Sequence, residues 1–329
     1  QDRIDMGFNG AGVEQIPVPQ WVFTEFGLTP ETRNFRYNDM VYADGRYENR
    51  WLPGTGVPDL SRQEAQMWFY YRAKRFIDAG YEGLHLGQIH LMTENDPSYT
   101  ALEGLLTRIR DYAATNARRH WVFINAHTHG IAVDDDLLFD FHMFPLRPKE
   151  VVGDPNNAVL EMGYLDSIYG NSLGGVSPSG WSCTNLPYAV EFDNFGGANP
   201  DNPDHNADTS SFYVWGRDEA SWFSHQDEQF RNDWLWYAYN WIRDNDPNGY
   251  IMMLGARPCA DPVPAGVGFD TWYYRANTFN RYCLTGFNQE ETIRKIWYSG
   301  CNADSLADLD DDCDVDFHDF AEFANRWVD

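Results

Sequence analysis

The sequence predicts an α/β fold: a (β/α)8 TIM-like barrel over residues 1–299, followed by a small separate segment over residues 300–329. Three observations carry this. At least six strand-like segments alternate with helical ones, turn pairs of the hairpin kind are rare between them, and several strands end in polar residues. Alternation without hairpins argues for parallel strands joined by helices, and polar strand ends mark the face where such barrels do chemistry.

A chain of 329 residues, 43% hydrophobic and 16% aromatic, is long enough to bury a large core. Its formal charge is −26, with only Lys74, Lys149 and Lys295 as lysines. Such an acidic surface repels phosphate backbones and anionic lipid, which argues against nucleic-acid and membrane partners. No apolar run approaches the roughly 20 residues of a membrane span. The chain opens at Gln1-Asp2 without an apolar leader, so any signal peptide is expected to have been removed. Cys183, Cys259, Cys283, Cys301 and Cys313 allow two disulfides and one thiol, and their spacing matches no zinc site.

Taken in order, residues 3–9 read as a first strand ending at Asn9, and residues 13–60 as a long irregular excursion. Ser61-Arg-Gln-Glu64 is a capping box that opens a helix to about Ala79, with Gly80 as its C-terminal cap. Residues 82–92 follow as a strand carrying His85 and Gln88. Thr100-Ala-Leu-Glu103 repeats the capping-box pattern before a stripe of Leu102, Leu105, Leu106 and Ile109. Residues 120–130 read as a strand with Asn125, His127 and His129 on one face, and 137–144 as another with Asp140 and His142 on one face. Residues 158–164 are a strand or a helical turn, and 165–187 a loop. Tyr188-Ala-Val-Glu-Phe-Asp-Asn-Phe195 is a buried strand whose Glu191 and Asp193 point the same way, closed by Gly196-Gly197. An aromatic helix over about 217–244 has a core stripe of Phe223, Phe230, Trp234, Tyr237 and Trp241; Trp222 and Trp236 lie off it. A strand over 250–257 ending at Arg257, and a helix near 288–298, complete the segment.

Polar groups from several strand ends on one barrel face are expensive to bury without a role. Glycoside hydrolysis needs two carboxyl groups flanking the bond. Glu191, Asp193 and Asp140 are the catalytic candidates, with the longer Glu191 as acid and Asp140 or Asp193 as its ionised partner. Asn9, His85, Gln88, Asn125, His127, His129, His142, Trp222 and Arg257 are the candidates for holding a carbohydrate substrate. The segment looks like a (β/α)8 glycoside hydrolase, without the Asn-Glu-Pro signature of one large barrel clan. The chief alternative is a metal-dependent hydrolase, with His127, His129, Asp140 and His142 as ligands. A polysaccharide lyase and a non-catalytic carbohydrate-binding protein are the others.

In the tail, Asp308-Leu-Asp-Asp-Asp-Cys-Asp-Val-Asp-Phe-His-Asp319 sets oxygens at loop positions 1, 3, 5, 7 and 12, the pattern a hard cation needs. Phe317, Phe320, Phe323, Ala324 and Trp327 then give an amphipathic stripe. The segment resembles one repeat of a type I dockerin, a module carried by secreted polysaccharide-degrading enzymes. The resemblance implies Ca²⁺ held by Asp308, Asp310, Asp312, the Asp314 carbonyl and Asp319. It also implies a surface or scaffold protein as partner. A Cys301–Cys313 disulfide beside the loop, and an extracellular setting, go with it.

Overall fold

The computed structural model describes residues 4–6, 12–50, 53–151, 153–193, 218–253, 257–260, 271–277 and 286–299. Asn9, residues 194–217 and the whole calcium segment with Cys301 and Cys313 lie outside the described residues. The chain is mixed α/β, with small sheets and seven α-helices among the described residues. The described strands form separate short sheets and do not close into a barrel. Antiparallel pairs, expected to be rare, are common. Examples are Ile4–Asp5 with Thr55–Gly56, Lys149–Val151 with Asp154–Val159, and Arg257–Ala260 with Thr271–Tyr274.

Two compact units divide the chain: residues 1–144 with 170–189, and residues 145–169 with 190–329. Two of the three boundaries fall inside the strands His142–Pro145 and Tyr188–Glu191, and the third, between Tyr169 and Gly170, lies in a turn.

In the first unit, α1 (Gln20–Glu25) and α4 (Thr100–Asn116) both pack on α2 (Gln63–Asp78). The α4 stripe is buried as its spacing predicts: Leu102, Leu105, Leu106 and Ile109 are at most 1% exposed. Gly80, at φ +90°, takes the left-handed position after α2 that a residue with a Cβ avoids. Neither capping box forms. Ser61 bonds Asp59, and Glu64 instead takes both guanidinium nitrogens of Arg33, at 2.6 and 2.8 Å, and the Arg36 amide at 3.0 Å. At α4 the Asp96 carboxylate accepts from the Ala101 and Leu102 amides, so a residue ahead of the expected cap does its work.

Gly83–His85 and Phe123–Asn125 pair in parallel, with His85 opposite Asn125. A parallel bridge from His127 to Met143 adds a third segment beside them. The predicted strand over 82–92 is thus short, and Ile89–Met92 turns into α3.

In the second unit, the aromatic helix is two helices, α5 (Glu219–His225) and α6 (Glu228–Asn245). Asp218 and Asp227 each cap one, accepting the Ser221 and Phe230 amides at 2.6 and 2.8 Å. A second N-cap in mid-sequence is what breaks the run. The buried stripe of α6 is Arg231, Trp234, Leu235, Ala238 and Ile242. Gly249–Met252 is hydrogen-bonded beside the strand that carries Glu191, and α7 (Glu290–Ser299) packs on α6.

Replacing Glu64 by Gln strips the charge from a buried carboxylate that holds Arg33 and the Arg36 amide. We expect a loss of about 2 kcal/mol in stability by urea unfolding, within the range for hydrogen bonds to charged groups. A midpoint unchanged from wild type would show that the contact does not hold the excursion to α2.

Candidate active site

Each unit gathers its own set of polar groups, and the two sets differ in chemistry.

In the second unit the strand ending at Glu191 runs on in extended register. Val190 and Phe192 are 1% exposed, and the Phe192 ring packs on Phe223 and Trp234 at 4.8 and 5.5 Å. Alternation turns Glu191 and Asp193 to the other face together. Arg257 meets both there. Its Nη2 donates to Glu191 Oε2, and its Nη1 lies 3.8 Å from Asp193 Oδ1. The side chains of Glu191 and Asp193 are 8% and 21% exposed. Glu191 is thus nearly enclosed and Asp193 reaches water. Arg257, expected to bind substrate, instead binds the carboxylates.

A third carboxyl, Glu219, lies in the first turn of α5 and is fully buried. Burial pushes its pKa up to about 8. The Arg147 guanidinium pulls the other way, and the Asp193 and Asp218 charges add to the rise. Glu219 is therefore protonated at neutral pH. In the sequence it looks like an ordinary acid beside an N-cap, and no spacing signals its burial. Trp222 is also fully buried, edge-on to Trp234 at 5.1 Å and to Phe230 at 6.1 Å. It is a core residue and not a sugar platform.

In the first unit, in-register pairing puts His85 beside Asn125. His85 Nδ1–H donates to Asn125 Oδ1 at 2.7 Å, which fixes the orientation of the ring. The His127 ring packs on His85 with centroids 4.6 Å apart, and each offers a ring nitrogen within 4.8 Å of the other. The His127 amide is fixed on Gly87 O at 2.7 Å, one residue before Gln88, which starts α3. His129 packs on Phe144 instead, at 4.5 Å. His90, which the sequence did not single out, bonds Thr128 Oγ1 at 2.9 Å.

Two expected members of this group are elsewhere. Asp140 lies in a bend before the strand, so the two-residue period does not tie it to His142. It accepts from the Ile124 amide at 2.8 Å and pairs with Arg110 at 3.1 Å. Its carboxylate is thus held by Arg110 and a backbone amide, much as Glu191 is held by Arg257. His142 is fully buried, beneath Gly130, where an added Cβ would come within 2.9 Å of its Cε1. Ser172 Oγ donates to Leu186 O at 2.6 Å and so accepts from His142 Nδ1 at 2.9 Å. Burial, with the nearby His129, pushes His142 down to about 4. It is a neutral core histidine that cannot touch substrate. Among the described residues Cys183 and Cys259 are free thiols.

Comparison of the chain with protein-family models, curated proteins and solved structures finds no match. The functional reading therefore rests on the chemistry of these two groups.

The Glu219 carboxyl binds a proton in the fold up to about pH 8, while an unfolded glutamate releases it near 4.5. Between those values the folded state holds more protons, so stability falls as pH rises. The amide that Glu219→Gln introduces cannot ionise in either state. Stability of Glu219→Gln relative to wild type should therefore rise from pH 5 to pH 8, by at most about 1.4 kcal/mol per pH unit. Parallel stability–pH curves for the two proteins would refute a protonated Glu219.

Proposed function

We propose that the chain is a secreted glycoside hydrolase, cleaving a polysaccharide or oligosaccharide by paired carboxylates. The observation that carries this is Glu191 and Asp193 on one strand face, gathered on the Arg257 guanidinium. The guanidinium favours the anionic form of the carboxylate it bonds, so Glu191 takes the role of nucleophile or base rather than acid. Asp193 is farther from the charge and more open to water, and it takes the proton-transfer role. His85, Asn125 and His127 are groups of the kind that hydrogen-bond sugar hydroxyls. The (β/α)8 scaffold belongs to this proposal, supported by the parallel run through Gly83–His85, Phe123–Asn125 and the His127–Met143 bridge.

Reducing-sugar release from a panel of neutral glycans tests the reading. Glu191→Gln should lower turnover on any cleaved glycan by about 10³-fold and Asp193→Asn by about 10²-fold, the span typical of acid–base groups. A folded Glu191→Gln protein of wild-type activity would sink the carboxylate mechanism. A gain in absorbance near 235 nm would make the reaction a lyase.

A metal-dependent hydrolase is the second reading, and the facing ring nitrogens of His85 and His127 favour it. The ligand set differs from the expected one, because Asp140 is bonded to Arg110 and His142 is buried. Loss of activity to 1,10-phenanthroline, restored by Zn²⁺, would support this reading against the first.

For the tail we propose Ca²⁺ on Asp308, Asp310, Asp312, Asp314 and Asp319, with a scaffold or surface protein as partner of the module. Calorimetry should find about one Ca²⁺ per chain, lost on exchange into EGTA and in Asp308→Ala/Asp310→Ala. Equal Ca²⁺ binding by that double variant would refute the assignment.

A further inference from the structure

Arg72 stands out in a chain with 50 acidic and 24 basic residues. It lies on α2 between Trp68 and Phe76, one turn to either side, with its guanidinium carbon 5.8 and 5.9 Å from their ring centroids. It makes no hydrogen bond or ion pair among the described residues, whereas Arg33, Arg110, Arg147 and Arg257 each hold a carboxylate. Burial alone pushes its pKa down, and no carboxylate raises it.

This guanidinium lines a cavity of about 290 Å³. The helix side is Phe69, Ala73 and Phe76; the opposite side is Tyr81 and the strand residues Gly83–Leu86. Leu84 and Leu86 are buried, and the Phe76 and Tyr81 rings meet edge-on at 5.3 Å and are themselves exposed. The cavity thus has apolar and aromatic walls, an open mouth and one uncompensated positive charge. A half-buried guanidinium without a carboxylate partner gains most from a planar anion that accepts two parallel hydrogen bonds. The walls demand that the rest of the ligand be flat and apolar. The volume limits it to a single ring with a short arm.

We propose that this cavity binds a small aryl or alkyl monocarboxylate, its carboxylate on Arg72 and its body between Phe69, Phe76 and Tyr81. Inorganic phosphate and sugars lack the apolar body, and a polymer exceeds the space. The site does not depend on the carbohydrate reading. His85 lines the same cavity, so occupancy has a local reporter.

The test uses 3-phenylpropionate as probe and 3-phenylpropanol as its neutral counterpart, on the full chain. Calorimetry and the His85 imidazole resonances should both register the acid, with the alcohol at least tenfold weaker. Arg72→Gln should weaken the acid at least tenfold and leave the alcohol unchanged, while Arg72→Lys keeps part of the preference. Both variants are compared at equal thermal midpoint, to separate lost binding from lost folding. Equal affinity for acid and alcohol, acid binding undiminished in Arg72→Gln, or no shift at His85 up to millimolar probe would each overturn the proposal.

Discussion

The Arg257 guanidinium between Glu191 and Asp193 is the contact on which the rest of the second unit's chemistry depends. Two carboxylates on one face of one strand repel each other, and enclosure strengthens that repulsion. One remedy is to protonate one of them, and the other is to bring in a cation. Arg257 does the second, bonding Glu191 and lying 3.8 Å from Asp193. Phe192 makes the arrangement rigid from behind, since its ring is held by Phe223 and Trp234. Glu219 follows the other remedy. It is fully buried, and burial favours its protonated form. One unit therefore holds both an arginine-bound carboxylate and a buried carboxyl whose proton is favoured, the contrast of environments from which acid–base chemistry is built.

The first unit works with imidazoles and an amide. Parallel pairing of His85 with Asn125 makes one imidazole a donor at Nδ1 and an acceptor at Nε2. Burial keeps His142 uncharged, and Ser172 fixes its tautomer. An imidazole can donate at one ring nitrogen and accept at the other, which suits hydroxyl-rich ligands, and its ring nitrogens are also ligands for transition metals. The two readings of function share these groups for that reason.

Local period was legible where one residue type decides the outcome. The alternation through residues 190–193 put Glu191 and Asp193 together, the Leu/Ile stripe of α4 is buried, and Gly80 sits in the left-handed region. What failed was competition between nearby polar groups. Asp96 displaced Thr100 as the cap of α4, and Glu64 served Arg33 instead of Ser61. Asp140 and His142 are two apart, but a bend separates them, and period says nothing across a bend. Glu219 and Ser172 were invisible because burial comes from packing against distant segments. Trp222, off the helical stripe, was buried because the helix breaks at Gln226-Asp227 and α5 has its own inner face.

The scarcity of cations explains where several of these side chains end up. With a net charge of −26, each buried arginine meets many possible carboxylates, and the best-placed one takes it. Arg110 takes Asp140; Arg147 takes Asp166; Arg257 takes Glu191. Others bond amide or carbonyl oxygens, as Arg231 does to Gln289 and Phe287, and Arg72 differs from both kinds in having no such bond among the described residues. Arg72 is flanked by Trp68 and Phe76, with ring centroids 5.8 and 5.9 Å from its guanidinium carbon, and it lines a cavity. Aromatic neighbours of this kind admit a flat anion that can slide between rings. The same physics that pairs the other arginines within the fold thus leaves this one for a ligand.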